Sequence, residues 1–176
     1  GGTFMTNPDD AMLALGFVTS ASNGLFEVVK DPKNLYIYNL DELKAFRDDV
    51  NTGKTYKGVT VHLMDDIDLL SEEWTPIGGS STNFQGIFDG HDHTIRNLVI
   101  TGYNSNAGLF GVTTNGEVKN LTVNNAKVSG RLNVGVVAGT PYTTKYTNIK
   151  VTGHVEVNGM SYVGGVGGKN AYANWT

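Results

Sequence analysis

Apolar residues in the second half of the chain fall in short alternating stretches that return every 28 or 29 positions. The segments 106–111 (NAGLFG), 134–139 (VGVVAG) and 163–168 (VGGVGG) share one register, with Gly111, Gly139 and Gly168 aligned. Downstream, Asn120-Leu121-Thr122-Val123 falls on Asn148-Ile149-Lys150-Val151, and Val128-Ser129-Gly130 on Val157-Asn158-Gly159. Self-similarity at this period marks a solenoid, whose units bury their apolar faces only by stacking on neighbours. Stacked parallel strands place equivalent residues about 4.8 Å apart. The register therefore predicts interior ladders Leu121/Ile149, Val123/Val151, Ala126/Val155 and Val128/Val157, with Thr122/Lys150 and Lys127/Glu156 pointing outward. Asn97, Asn120 and Asn148, each before an apolar strand, are expected to form one turn ladder through their side-chain amides. By this register Thr176 stands one residue before a further strand, so the chain reads as a fragment whose C-terminal edge further repeats would cover.

Upstream the pattern changes. Residues 7–18 read as a helix, with Asn7 as N-cap, Pro8 at the first helical position and Asp9 and Asp10 at the positive end of the dipole. Short strands are predicted at 25–29 and 35–38, around the turn-prone Asp31-Pro32-Lys33-Asn34. Asn39 and Glu42 have capping-box spacing, and Leu40, Leu43, Phe46 and Val50 form one helical stripe that stops at Gly53. This second helix is expected to cover the open end of the solenoid. From Val59 onward the chain alternates as β: 59–63, 67–69, 87–88, 94–100, 109–110, 118–123, 126–128, 134–137, 149–151, 155–157 and 163–166. The resulting division is an N-terminal helix/strand cap over 1–58 and a β-helix over 59–176.

Composition narrows the function classes. The 23 glycines among 176 residues fall at fixed places in the repeat, which marks turn and close-packing chemistry. The net charge of −4 is uneven, −8 over residues 1–96 and +4 over 97–176, but no Lys/Arg stripe occurs, so nucleic acid is not an expected partner. No apolar run approaches the eighteen residues of a membrane span. The absence of cysteine removes disulfides and thiolate metal sites and leaves the compartment open. Gly1-Gly2 reads as a processed or appended end, compatible with a removed signal.

The repeat units resemble the GLUG motif of bacterial surface proteins. The residues that carry this are Gly108-Leu109-Phe110-Gly111, Gly116-Glu117-Val118-Lys119-Asn120-Leu121-Thr122-Val123 and the degenerate 134–139 and 163–168. The stretches 40–46, 50–53, 66–69, 74–78, 84–90 and 93–95 look like the usual leader of such arrays. The resemblance covers residues 35–176, and Val136-Val137-Ala138 departs from its usual Gly-Leu-Val pattern. It implies a right-handed parallel β-helix of the pectin-lyase-like type, on secreted or cell-surface proteins and beside IgA-specific metallopeptidases. It implies no shared catalytic residues, and the HExxH of a metallopeptidase is missing from this chain.

Two groups of residues are candidates for chemistry. Asp65, Asp66, Asp68, Asp89 and Asp92 can supply carboxylates for Ca²⁺ or for acid/base work, with Arg96 the one basic group nearby in sequence. Their positions at coil corners equally suit turn formation. His91 and His93, at i and i+2, would share a strand face and could bind a metal, though the phrase FDGHDHTI also reads as a turn. His62 is placed on the polar side of its strand and His154 in a turn. The aromatic group is Tyr142, Tyr146, Tyr172 and Trp175, expected on one edge of successive coils as a platform for sugar rings. The whole chain is thus expected to be mainly β, a right-handed parallel β-helix with an N-terminal α/β cap. Its expected role is a non-catalytic extracellular structural or adhesive segment of a larger bacterial surface protein, with a host glycan or protein as partner. A polysaccharide lyase or hydrolase of the pectin-lyase-like class and an inert spacer are the alternatives.

Overall fold

The computed structural model describes residues 4–5, 17–22, 25–170 and 172–176, with side chains from residue 31 onward except those of Tyr103 and Asn104. Three N-terminal strands, β1 (Phe4–Met5), β2 (Phe17–Ser22) and β3 (Leu25–Lys30), form an antiparallel sheet in the order β1-β3-β2. The helix expected over 7–18 falls mostly outside the described residues. Its last two positions, Phe17 and Val18, are strand and pair with Lys30 and Val29. At these two positions β-favouring side chains lie beside a complementary strand.

After Asp31 the described strands form a parallel β-solenoid of about five turns. Strand β4 (Asn34–Ile37) pairs in parallel with β5 (Thr60–Leu63), and β5 with β7 (Ile87–Asp89). The short β6 (Ile67–Asp68) pairs with β8 (Thr94–Ala107). The long β10 (Glu117–Gly135) bends around the coil corners and pairs with β7 and β8 on one side. Its other side pairs with β12 (Lys145–Asn158) and β13 (Ser161–Gly164). A further face carries β9 (Phe110–Thr114) and β11 (Ala138–Tyr142), and β14 (Asn174–Trp175) adds the last rung beside β12.

The interior ladders follow the sequence register. Leu121 lies opposite Ile149, Val123 opposite Val151, Ala126 opposite Val155 and Val128 opposite Val157. Outside, Lys127 faces Glu156 at 3.7 Å. One ladder runs through the whole stack: Leu35, Val61, Phe88, Val118, Tyr146, Trp175. Such ladders let each coil bury the apolar face of the one before it.

The asparagines also ladder, in three columns rather than one. Asn120 donates to Asp89 and Asn148 donates to both Asn120 and Asp92. Asn97 belongs to another corner, where it donates to Asp68 and accepts from Asn125. Asn133 and Asn106 form the third column, joined at 2.9 Å. All six have φ between 52° and 62°. Asparagine tolerates this left-handed conformation because its short amide bonds locally.

Helix α1 (Leu40–Asn51) sits against this stack. The Asn39 side chain accepts from Glu42 N at 3.0 Å, and the Glu42 carboxylate accepts from Tyr38 N at 2.6 Å, one residue earlier than in the usual capping box. Gly53, at φ 112°, follows the helix end. Leu43, Phe46 and Val50 are buried, and the Phe46 ring meets Phe84 and Phe88 from the solenoid interior. The repeat glycines take the tightest bends: a Cβ on Gly111 or Gly139 would collide with the backbone of the adjacent coil.

Candidate functional site

The register decides which aromatic residues can meet a ligand. Tyr146 cannot, contrary to its expected place on a sugar platform. It continues the ladder of Phe88 and Val118, is fully buried, and its hydroxyl is hydrogen-bonded to Thr113 Oγ1 at 2.7 Å. Burial pushes its phenol far above the ordinary tyrosine range, so it stays neutral. Trp175 stacks on Tyr146 with centroids 4.1 Å apart and 18° between planes, so its ring covers the same ladder from the last rung.

Tyr142 and Tyr172 are different. They are 46% and 85% exposed, and their rings meet edge to face at 6.1 Å and 89°. The expected four-ring platform is therefore a two-ring edge whose planes are perpendicular. Tyr162, 58% exposed, stands near the same end of the stack with Lys169 Nζ 5.5 Å above its ring. The loss of Tyr146 from the edge is testable. Tyr146→Phe leaves Thr113 Oγ1 buried without its partner and is expected to cost about 1–3 kcal/mol in urea unfolding. A surface tyrosine would show no measurable change.

The acidic candidates are taken up by the coil corners. Asp65 caps its own turn by accepting from Asp66 N. Asp66 accepts from Thr94 N, His93 and Arg96, at 2.9, 3.3 and 2.8 Å. The Thr94 bond is the main reason its carboxyl is held below the usual range. Asp68 is lowered first by Asn97 and then by Leu70 N. Burial opposes ionisation of Asp89, but bonds from His91 N, Asn120 and Lys119 outweigh it and its pKa is lowered. His91 and His93 do not share a face. His93 turns to Asp66, and His91, at φ 47°, turns to His62 on the preceding coil. Among the described residues no group of three or more His, Asp or Glu is arranged to hold a cation.

The pair His62–His91 is the feature the sequence reading missed. His62 Nδ1 and His91 Nε2 are 2.9 Å apart, and His62 Nε2 is 2.8 Å from Asn34 Oδ1. The signal was present: positions 62 and 91 are separated by 29 residues, one coil. Burial, reinforced by His91, lowers the pKa of His62, with Asp89 opposing and Lys119 adding to the shift. A histidine held neutral by the fold binds fewer protons than in the unfolded chain between its lowered pKa and 6.5. Its contribution to stability is thus complete above pH 6.5 and is lost as pH falls below it. Urea midpoints should drop between about pH 7.5 and 5.5, and His62→Gln should flatten that slope. The lowered Asp66, Asp68 and Asp89 act in a separate window, giving stability above the ordinary value of 3.8 that is lost on further acidification.

An outer groove of about 280 Å³ crosses four coils, with Ser71, Asn97, Asn125, Lys127, His154 and Glu156 among its lining. Its charged groups are paired, Glu156 with both Lys127 and His154.

No family model matches the chain. Over 88 residues, 49% of its length, it is 40% identical to halomucin of Haloquadratum walsbyi, and that stretch is 1% of halomucin. Among solved structures it is similar to a proposed immunoglobulin A1 protease from Bacteroides ovatus, at 21% identity and a TM-score of 0.46. That match takes in 84% of this chain and 49% of the other. The chain thus spans a small part of halomucin and about half of the solved chain.

Proposed function

We propose that this chain is a non-catalytic display segment of a larger extracellular surface protein, and that its Tyr142–Tyr172 edge binds glycan. The observation that carries this is the contrast between the two ends of the aromatic set. Tyr146 and Trp175 are absorbed into the core ladder, whereas Tyr142 and Tyr172 touch each other in solvent. Exposed rings with polar tips bind sugars through their apolar faces. The corner carboxylates support the non-catalytic part, because their oxygens serve turn and ladder bonds. The likeness to halomucin, of which the matching stretch is 1%, supports a segment of a larger protein. A rigid solenoid holds such an edge at a fixed distance from its attachment.

The test is a glycan array, with and without Ca²⁺. Saturable binding is expected, and each ring removed should weaken it by about tenfold. Tyr142→Ala/Tyr172→Ala should therefore abolish array signal while leaving the urea midpoint within experimental error. Binding indifferent to the double substitution, or no binding by the folded protein, contradicts the proposal and favours an inert spacer.

A further inference from the structure

We propose that His62 and His91 form a two-histidine chelating site for a divalent cation of the Zn²⁺, Ni²⁺ and Cu²⁺ class. The orientation of the pair is fixed from behind. Asn34 Nδ2 donates to Asp31 Oδ2 at 2.6 Å, which sets the amide so that Asn34 Oδ1 faces His62. His62 therefore carries its proton on Nε2 and donates it to Asn34, and its Nδ1 is a bare lone pair. That arrangement is how proteins orient a metal-ligating histidine: the second ring nitrogen donates to an outer acceptor. The Tyr36 ring, stacked on His62 with centroids 4.8 Å apart, holds the imidazole plane.

The lone pair points to His91 Nε2 at 2.9 Å, and with centroids 5.2 Å apart the rings approach by their nitrogen edges. Without a cation, His91 Nε2–H donates to His62 Nδ1. On binding, His91 moves that proton to its own Nδ1, so both facing nitrogens become ligands and no net proton is released from the neutral pair. Two nitrogens at ~2.0–2.1 Å from a tetrahedral ion stand roughly 3.3 Å apart, so the pair opens by about 0.4 Å and the rings tilt until their lone pairs converge on the ion. Asp89 Oδ2 lies 4.0 Å from His91 Nε2, while Asp89 Oδ1 accepts from His91 N and Asn120. Water completes the coordination. The His91 side chain is 43% exposed, so the site is open to solvent. Lys119 Nζ, 3.3 Å from Asp89 Oδ2, is the opposing charge. The other described histidines bond elsewhere, His93 to Asp66 and His154 to Glu156.

The experiment is calorimetric titration of the full chain with ZnCl₂, together with histidine-ring ¹⁵N shifts. One equivalent should bind, with the large ring shifts at His62 Nδ1 and His91 Nε2. His62→Ala and His91→Asn, the latter chosen because asparagine tolerates the positive φ, should each abolish binding. Asn34→Ala, which removes the orienting acceptor and leaves both imidazoles in place, should weaken it by about tenfold or more. Lys119→Gln should tighten it. Absence of binding, ring shifts confined to His93 or His154, or affinity unchanged in His91→Asn would overturn the proposal. The wild-type ring shifts decide the matter even where His62→Ala does not fold.

Discussion

Phe88→Ala lowers the unfolding free energy by about 3–5 kcal/mol, the cost expected for emptying a buried aromatic position. Phe88 is fully buried and lies in the ladder between Val61 and Val118. Its ring meets Phe110 at 5.4 Å and Phe46 of α1 at 6.0 Å. Phe84 closes the same cluster, 5.6 Å from Phe46 and 5.7 Å from Phe110. The cavity therefore opens where the helix, β7 and β9 converge, and none of these can collapse into it without leaving its own rung. Because solenoid units depend on nearest neighbours, the loss should appear as earlier undocking of α1 as well as a lower midpoint. The fluorescence of Trp74, which is buried with Arg47 over its ring at 4.8 Å, reports that region during urea unfolding. A cost below about 1 kcal/mol would contradict the cluster.

The second large effect comes from adding atoms. Gly139→Ala should destabilise the protein by about 3 kcal/mol, at the upper end of the overpacking range. A Cβ there would lie 2.8 Å from Ala107 N and closer still to Asn106 Cα and C. These are backbone atoms of the preceding coil, so no side-chain rotation relieves the clash. Adjacent coils are also tied by Leu109 N to Val136 O and Phe110 N to Val137 O, both at 2.9 Å. The strands flanking the glycine thus hold the separation that the methyl group needs to widen. Gly102 is the control. A methyl group there would meet no atom within 4 Å, but the residue sits at φ 67°, so alanine incurs only the left-handed backbone cost of about 1–2 kcal/mol. Equal midpoints for the two variants would show that close coil packing is not what keeps glycine in the repeat.

The coil period was legible because it is written twice, in the apolar ladders and in the glycine row. Residues 121–128 stack on 149–157 as their spacing requires, with the one-residue change in offset absorbed by a bulge between Asn124 and Ala126. Tyr146 was harder to read. Its register partner is Val118, but a tyrosine in a loop-like phrase reads as surface until its hydroxyl has a partner. That partner, Thr113, lies on a different face of the coil, 33 residues away, a separation the repeat does not encode. Asn97 misled for a related reason. It precedes an apolar strand just as Asn120 and Asn148 do, yet it turns a different corner, and only the pairing of β6 with β8 places it beside Asp68. The His62–His91 contact needed the period applied to polar positions as well. Strand alternation pairs His91 with His93, but it breaks at a turn whose residues His91 and Asp92 have positive φ.

The most direct test of the display reading is affinity electrophoresis in a gel carrying the polysaccharide that gives the strongest array signal, with Ca²⁺ present and the polymer sized afterwards. The account predicts that the protein is retarded, that Tyr142→Ala/Tyr172→Ala restores free migration, and that the polymer keeps its length. A shortened polymer would make the chain an enzyme, and a double variant still retarded would move the binding surface away from the Tyr142–Tyr172 edge.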